Sequence, residues 1–410
     1  MGSIDKMLNY KKLATKHLYF SSPLTSADLS DMIKKSVPLT NNIIDALLED
    51  EWIEETGFGP SSGGRRPSLY ALKSSKLFIV SVAMDQLVTR IVLMNMHNEY
   101  VTPVEKFEMP LGSNPAVLDI LTEKIESFIR ASGVDKKHIV GIGIGMPGFV
   151  NPKEGLNYTF IDSMGASSIV RHISEELELP VLIDNDSSLI ALAELKFGAG
   201  VDKKNAMVVN VGWGIGLGMI LDGKMFRGHN GFAGEFSHIP IFTNNKLCQC
   251  GKSGCLETET SLSILVEKAR EGLRAGKISS LDKESFLNCD LEHGFEALVD
   301  ATRKGDKFSI NIISEAAYNI GRGVAILIRI LNPELIILSG RGSLLGKILE
   351  IPVWQALNEH CIPRLGAQTK LRVSSLGYDA ELIGAAALVM ENFEKGSYGD
   401  LFKTKTPALH

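Results

Sequence analysis

Apolar positions near the start of the chain recur at helical spacing. Within residues 7–20 they are Leu8, Leu13, Leu18 and Tyr19, which predicts a first helix that ends before Pro23. Thr25 or Ser26, with Asp28 in the first turn, reads as the N-cap of a short second helix running through Ile33. Ser36 to Thr40, with Pro38 inside, reads as a turn. Ile43, Ile44, Leu47 and Leu48 then share one face of a third helix that ends near Asp50. Beyond it the pattern changes to strands. Trp52-Ile53-Glu54-Glu55 and Ser68-Leu69-Tyr70-Ala71-Leu72 flank the glycine-rich stretch Gly57 to Pro67, which predicts a β-hairpin with a long tip. Three short helices with a tight turn between the second and third, followed by such a hairpin, predict a winged helix-turn-helix over residues 1–75.

From residue 77 the pattern is that of an α/β protein. Three strand-like segments, Leu77–Met84, Thr89–Asn95 and Glu99–Phe107, lead to a helix over Ala116–Ala131 and a strand over Ile139–Ile144. A further helix and the strand Val181–Ile183 follow. The plan then repeats with Ala206–Val211, Gly216–Leu221 and Lys224–Arg227, and an apolar strand, Glu334–Leu338, comes after more helices. Two β-β-β-α-β-α halves predict a duplicated, ribonuclease-H-like domain of the actin or hexokinase type. Its two lobes would span residues 76–393, with ligands in the cleft between them. Strand counting alone also admits a Rossmann-type fold. Residues 394–410, with Gly396, Ser397 and Gly399, read as a loose or docking tail.

A length of 410 residues implies two or three domains. No run reaches the eighteen or so apolar residues that a membrane span requires, and the first residues lack an apolar signal core. A cytoplasmic protein with no membrane insertion is therefore expected. The net charge of −5 gives no whole-chain sign of nucleic-acid binding. Residues 1–75 balance nine Lys/Arg against nine Asp/Glu. Any DNA affinity there would rest on dimerisation and on placement of Lys11, Lys12, Lys34, Lys35, Arg65 and Arg66 on one face. Arg65 and Arg66, flanked by Gly and Pro, suit a minor groove. Thr40, Asn41 and Asn42, at the start of the third helix, are the residues expected to reach the major groove. A plain surface loop is the other reading of the hairpin tip.

Five cysteines are present, and three of them, Cys248, Cys250 and Cys255, fall within eight residues. With His238 they make a set of three thiols and one imidazole, the donors of a closed tetrahedral site. Such a site predicts one structural Zn²⁺ per chain, and Gly251 and Gly254 would let the loop wrap around the ion. Unliganded thiols beside a surface histidine are the alternative. Cys289 and Cys361 read as core.

Here the chain resembles the ROK (repressor, ORF, kinase) family over nearly its whole length. The family's Glu-x-Gly-His and Cys-x-Cys-Gly-x-x-Gly-Cys-x-Glu signatures stand as Glu235-Phe236-Ser237-His238, with Ser237 in place of Gly, and as Cys248 to Glu257. Gly143 to Gly148, Asp184-Asn185-Asp186 and the Gly63-Gly64-Arg65-Arg66-Pro67 wing also match, the last in the style of the family's sugar-responsive repressors. The resemblance implies that Gly148, Asn185, Asp186, Glu235, His238 and Glu257 surround a sugar, and that His238 touches sugar with one ring nitrogen and zinc with the other. Asp186 is also explained as the N-cap of the helix that follows it.

In the family's kinases the counterpart of Asp186 is the general base, and two glycine-rich turns cradle ATP. Here the first turn, Asp85-Gln86-Leu87-Val88-Thr89, has no glycine. The second is Gly212-Trp213-Gly214, and the adenine side reads Ser339-Gly340-Arg341-Gly342. Sugar-side residues kept and nucleotide-side residues altered imply a sensor in which Asp186 is a vestigial base. The expectation is a repressor of carbohydrate-metabolism genes, released from operator DNA by a sugar or sugar phosphate. It would act as a homodimer or tetramer, and a sugar-transport protein is a further candidate partner. A hexose kinase is the competing reading.

Overall fold

The computed structural model describes residues 3–60, 66–111, 116–161 and 168–395. The chain forms two compact units, residues 1–185 with 385–410, and residues 186–384.

The first unit opens with α1 (Ser3–Ser21), the two-residue strand β1 (Leu24–Thr25), α2 (Ser26–Ile33) and α3 (Val37–Glu49). Of the two N-cap candidates, Thr25 and Ser26, Thr25 is the N-cap of α2, and it forms a full capping box with Asp28. α3 starts three residues earlier than Thr40. Ser36 holds the N-cap position without a side-chain capping bond, and Pro38 sits in the first turn, where a missing N–H costs nothing because no intrahelical acceptor exists there. Leu18, Leu29, Ile33, Ile43, Ile44 and Leu47 are buried among these helices. The hairpin is β2 (Ile53–Phe58) and β3 (Ser68–Leu72), joined by β1 into a sheet of order β1-β3-β2. A register shift between Glu55 and Gly57 marks a bulge, and Gly57 adopts φ +139° there.

The rest of the unit is built on a five-stranded sheet. Its strands are β4 (Phe78–Met84), β5 (Val88–Asn95), β6 (Glu105–Glu108), β7 (Ile139–Met146) and β10 (Val181–Asn185), in the order β10-β7-β4-β5-β6. A small hairpin, β8 (Val150–Asn151) with β9 (Leu156–Asn157), lies between β7 and β10 in sequence. β4-β5 and β5-β6 pair antiparallel, β4-β7 and β7-β10 parallel. Helices α4 (Val117–Ser132) and α5 (Ile169–Leu177) contribute Leu121, Ile125, Phe128, Ile169 and Ile173 to one core with Val80, Ile91, Ile142 and Ile144. The strand expected over Glu99–Phe107 is shorter, Glu105–Glu108, and is preceded by a tight turn over Asn95 to Glu99 closed by the Asn95 side chain.

The second unit begins with α6 (Asp186–Phe197) and repeats the plan. Strands β11 (Ala206–Val211), β12 (Ile215–Leu221), β13 (Lys224–Phe226), β14 (Leu335–Ser339) and β15 (Lys370–Val373) run in the order β13-β12-β11-β14-β15. β11-β12 and β12-β13 are antiparallel, β11-β14 and β14-β15 parallel. Numbered within its own half, each sheet reads 3-2-1-4-5, so the duplication expected from the sequence is present in both order and direction. Gly216 and Gly218 of β12 let α6 settle on the sheet: a Cβ at either would stand 1.9 Å from Ser187 Oγ or 2.2 Å from Ala191 Cβ. A helical insertion follows, α7 (Glu257–Thr260), α8 (Leu262–Arg274), α9 (Lys283–Asn288), α10 (Leu291–Arg303) and α11 (Lys307–Leu331), then α12 (Lys347–His360) and α13 (Pro363–Gly366); α14 (Ala380–Glu391) starts in this unit and from Ala385 belongs to the first. No helix among the described residues is long and apolar enough to cross a membrane.

Candidate metal and ligand site

The loop between β13 and α8 brings four donors together. His238, Cys248, Cys250 and Cys255 each offer a ligand atom, and all four atoms lie within 4.8 Å of one another. Cys248 Sγ is 3.5 Å from His238 Nδ1, and Cys250 Sγ is 3.6 Å from Cys255 Sγ. Thiolate and imidazole ligands around a tetrahedral ion stand about 3.5–3.8 Å apart, so the donors already have the edges of such a tetrahedron. Burial pushes the Cys255 thiol up to about 12 and raises that of Cys248. A bound cation is what converts such thiols into thiolate ligands. The residues present therefore fit a metal ion.

Local sequence explains the shape of the loop. Cys248 N–H donates to the Lys252 carbonyl at 2.7 Å and Gly251 N–H returns to the Cys248 carbonyl at 2.9 Å, closing a tight turn around the first two thiols. Gly254 has φ +76°, and a Cβ there would lie 2.0 Å from the Phe242 carbonyl oxygen, so only glycine fits. Phe236, 2% exposed, anchors the segment before His238 against Gly323 of α11, and Ser237 is buried beside it without strain on the turn. Sequence reading passed over Glu259. Its carboxylate is buried, and it binds Lys246 Nζ at 2.7 Å, Asn244 Nδ2 at 2.7 Å and Lys268 Nζ at 2.9 Å, tying the loop to α8.

His238 uses Nδ1 toward the thiols, and its Nε2 lies 3.7 Å from Glu235 Oε2. Desolvation raises the Glu235 carboxyl above its ordinary range; His238 opposes this and Glu257 reinforces it. Two carboxylates and an imidazole edge thus face one region, with Glu235 still half open to solvent. Asp186, in the same unit, starts α6. It is the first residue of the helix, where the sequence reading also allowed an N-cap ahead of it; its Oδ1 accepts the N–H of the next residue, Ser187, at 2.7 Å, while Oδ2 accepts Asn210 Nδ2 at 3.2 Å. Asn210, not singled out from the sequence, is held on β11 and also reaches Ser187 Oγ at 3.1 Å.

In the first unit, Gly148 and Asn185 lie at the carboxyl ends of the paired parallel strands β7 and β10. Asn185 Nδ2 donates to the Gly148 carbonyl at 3.0 Å. Gly148 has φ +86° and a Cβ would come within 2.6 Å of Thr159, so glycine is required. The turn is pinned by Asn157 Nδ2 on the Pro147 carbonyl and by Phe149 N–H on Thr159 Oγ1, both at 2.9 Å.

The first altered turn and the adenine-side glycines have specific geometries. Asp85 Oδ1 accepts the N–H groups of Leu87 and Val88, each at 2.8 Å, so that turn's backbone donors are met by its own carboxylate. Gly340 and Gly342 are crowded by β11, with would-be Cβ atoms 2.1 Å from Asn210 Oδ1 and 2.5 Å from Val211 Cγ1. Packing accounts for these two glycines. Arg341 between them is buried and lies over Trp213.

Among the residues expected at a DNA surface, the structure corrects one. Thr40 is fully buried, because α3 begins before it and turns it inward, and its hydroxyl donates to the Ser36 carbonyl at 3.1 Å. Asn41 and Asn42 are exposed, and Ser26 Oγ donates to Asn41 Oδ1. Arg66 is exposed; Arg65 lies outside the described residues.

The frame is that of a duplicated α/β protein with a four-donor loop in its second half. Residues 89–392 match the ROK family, and the chain belongs to it. It is similar to a xylose repressor of Caldicellulosiruptor bescii, 29% identical over 393 residues that span 94% of this chain and 96% of the repressor. A glucokinase of Halalkalibacterium halodurans is 32% identical over 306 residues, 72% of this chain and 91% of the glucokinase. A crystal structure of a ROK family transcriptional regulator, a homologue of the Escherichia coli MLC protein, superposes with a TM-score of 0.76 at 25% identity. It covers 97% of this chain and 100% of its own.

Proposed function

We propose that this protein is a sugar-responsive, DNA-binding transcriptional regulator that represses carbohydrate-metabolism genes and has no kinase activity. One observation carries the reading: the repressor relative matches 94% of the chain, whereas the glucokinase relative matches 72%. The helices α1 to α3 and the β2-β3 hairpin have the order of a winged helix-turn-helix, with α3 as the reading helix. Asn41 and Asn42 at its exposed start, and Arg65 and Arg66 from the sequence between β2 and β3, are the proposed DNA contacts. Operator DNA would be bound by a homodimer or a higher even assembly, matching two half-sites.

The proposed effector is a sugar or sugar phosphate. Gly148, Asn185, Asp186, Glu235, His238 and Glu257 would hold it on a duplicated ribonuclease-H-like frame, since carboxylate, amide and imidazole groups satisfy a rim of hydroxyls. The metal is proposed to be a structural Zn²⁺ held by His238, Cys248, Cys250 and Cys255. With Nδ1 on the metal, Nε2 of His238 is left facing Glu235, which joins the metal loop to the effector site. The filled turns at Asp85–Thr89 and Gly212–Gly214 support loss of ATP.

The test is a gel-shift titration of the DNA upstream of the protein's own gene against a panel of free and phosphorylated sugars. Specific, salt-sensitive binding that one sugar releases is the expected result. Sugar-dependent ATP consumption at kinase rates would establish the competing reading.

A further inference from the structure

Three loops at the carboxyl ends of β11, β14 and β15 converge on one side chain, Arg341. Its guanidinium carbon lies 5.0 Å from the centre of the Trp213 ring and 4.3 Å from that of Tyr378. Nη1 donates to Glu292 Oε1 at 2.9 Å, and Nη2 donates to the Tyr378 hydroxyl. Trp213 is braced edge-on by Phe295, with centroids 6.2 Å apart and planes at 75°. Trp213 and Arg341 are each 6% exposed. A planar cation against two aromatic faces, closed by a carboxylate, is a complete recognition site whose ligand is the chain's own side chain. It stands at the carboxyl ends of parallel strands, where α/β sheets bind ligands from solution.

The same stack reaches toward the proposed effector site. Trp213 belongs to the Gly212–Gly214 turn. A Cβ on Gly214 would lie 3.6 Å from Glu257 Oε2. The Gly212 carbonyl accepts Leu262 N–H at 3.0 Å and the Trp213 carbonyl accepts Ser263 Oγ at 3.2 Å, which docks the turn on the α7–α8 junction. Whatever holds the Trp213 ring therefore holds the wall beside Glu257.

We infer that Arg341 is a positioning residue for the effector site: packed between Trp213 and Tyr378, it fixes the Gly212–Gly214 turn against Glu257 in the place of a bound nucleotide. Sugar affinity in this chain is then independent of ATP. The inference rests on the sugar-sensor reading above.

Calorimetry on the full-length protein, with D-xylose, D-glucose and N-acetylglucosamine as probes, tests it, with metal content and circular dichroism measured alongside. Arg341→Ala is expected to weaken binding of the wild-type probe by about tenfold with metal retained, because a buried planar cation holds the turn. Arg341→Lys, which has the charge but not the plane, should not rescue. Millimolar methylguanidinium should restore binding to the Ala variant, a response that general loosening of the fold would not give. Glu292→Gln keeps the side-chain shape and should cost about threefold through a weaker hold on the guanidinium. Mg-ATP should leave wild-type sugar affinity unchanged. If wild type binds a probe and Arg341→Ala binds it equally, the inference falls and the sensor reading stands. Should Arg341→Ala not fold, equal binding by Glu292→Gln has the same consequence. Mg-ATP tightening the wild-type interaction also overturns the inference, and wild type binding none of the probes overturns the sensor reading and the inference together.

Discussion

Asp306 begins α11, the longest helix among the described residues. Against the cost of its own burial, the N–H groups of Ser280 and Ser309 and the hydroxyls of Ser309 and Ser279 hold its carboxyl down at about 2. A folded-state value below the ordinary carboxylate range contributes stability above about pH 4, and that contribution is lost as pH falls toward about 2. Asp306→Ala should cost about 1–2 kcal/mol at neutral pH as a lost N-cap. It should also flatten the acid limb of the stability curve; urea midpoints measured from pH 7 to pH 2 check both. The metal donors give a second expectation at this scale. Cys255→Ser should lose the ion by elemental analysis and lower the melting temperature, because a buried thiol is exchanged for a weaker ligand in a four-donor site. Glu235→Ala should leave operator affinity within about twofold of wild type while abolishing release by sugar, since a lost carboxylate removes charge-assisted hydrogen bonds only from the effector. Sugar release that persists in Glu235→Ala would move the pocket elsewhere. The four donors were legible in the sequence because they fall within eighteen residues. Asn210 and Arg341 were not, since the role of Asn210 depends on Asp186, 24 residues away, and that of Arg341 on Tyr378, Glu292 and the distant Trp213, which only the fold brings near.

Strands were legible at the level of elements wherever apolar runs were continuous. β3 and β11 match the sequence reading residue for residue, and β4, β5, β7 and β14 differ only at their ends. Pro38 misled the reading of α3, because proline signals a turn in the interior of a pattern and is tolerated in a first turn. The consequence is functional. With the helix starting at Val37, the exposed residues of its opening turns include Val37, Pro38, Asn41 and Asn42, and Thr40 faces the core. Thr40→Val should therefore leave operator affinity almost unchanged. Asn41→Ala and Asn42→Ala should each weaken it by about tenfold if they contact base edges, the scale of one good side-chain-to-base pairing. Paired fluorescence-anisotropy titrations on the operator and on a scrambled duplex would separate loss of specificity from loss of charge. Equal loss in Thr40→Val would return the reading helix to a later start.

At the scale of the molecule the duplication was readable, because each half repeats its own run of strands, but the attachment of the first three helices to the sheet that follows was not. Those contacts are made by single side chains that carry no periodic signal. Tyr19 of α1 donates its hydroxyl to Asn98 Oδ1 in the turn after β5, where Asn98 holds φ +60°. His97 Nε2 meets the Leu72 carbonyl of β3 at 2.6 Å. Lys16 Nζ donates to the Glu391 carbonyl at 2.9 Å and pairs with Glu394 Oε1 at 2.8 Å, so α1 also grips the end of α14. Within this unit the helices that precede the hairpin are thus clamped to the sheet that carries Asn185 and Gly148. Any change at that sheet meets the segment proposed to read DNA through a few polar contacts. Tyr19 is 4% exposed, so Tyr19→Phe leaves Asn98 without its donor and should cost about 1 kcal/mol of stability. Combined with Lys16→Ala, it should leave operator affinity without sugar, and sugar affinity without DNA, close to wild type, because neither residue belongs to either proposed site. The coupling between the two should shrink. Since linkage is reciprocal, sugar should release DNA less and DNA should weaken sugar binding less by the same factor. Measuring both halves of that cycle in wild type and the double variant gives the outcome directly, and an unchanged coupling factor would show that the signal to the reader travels by another route.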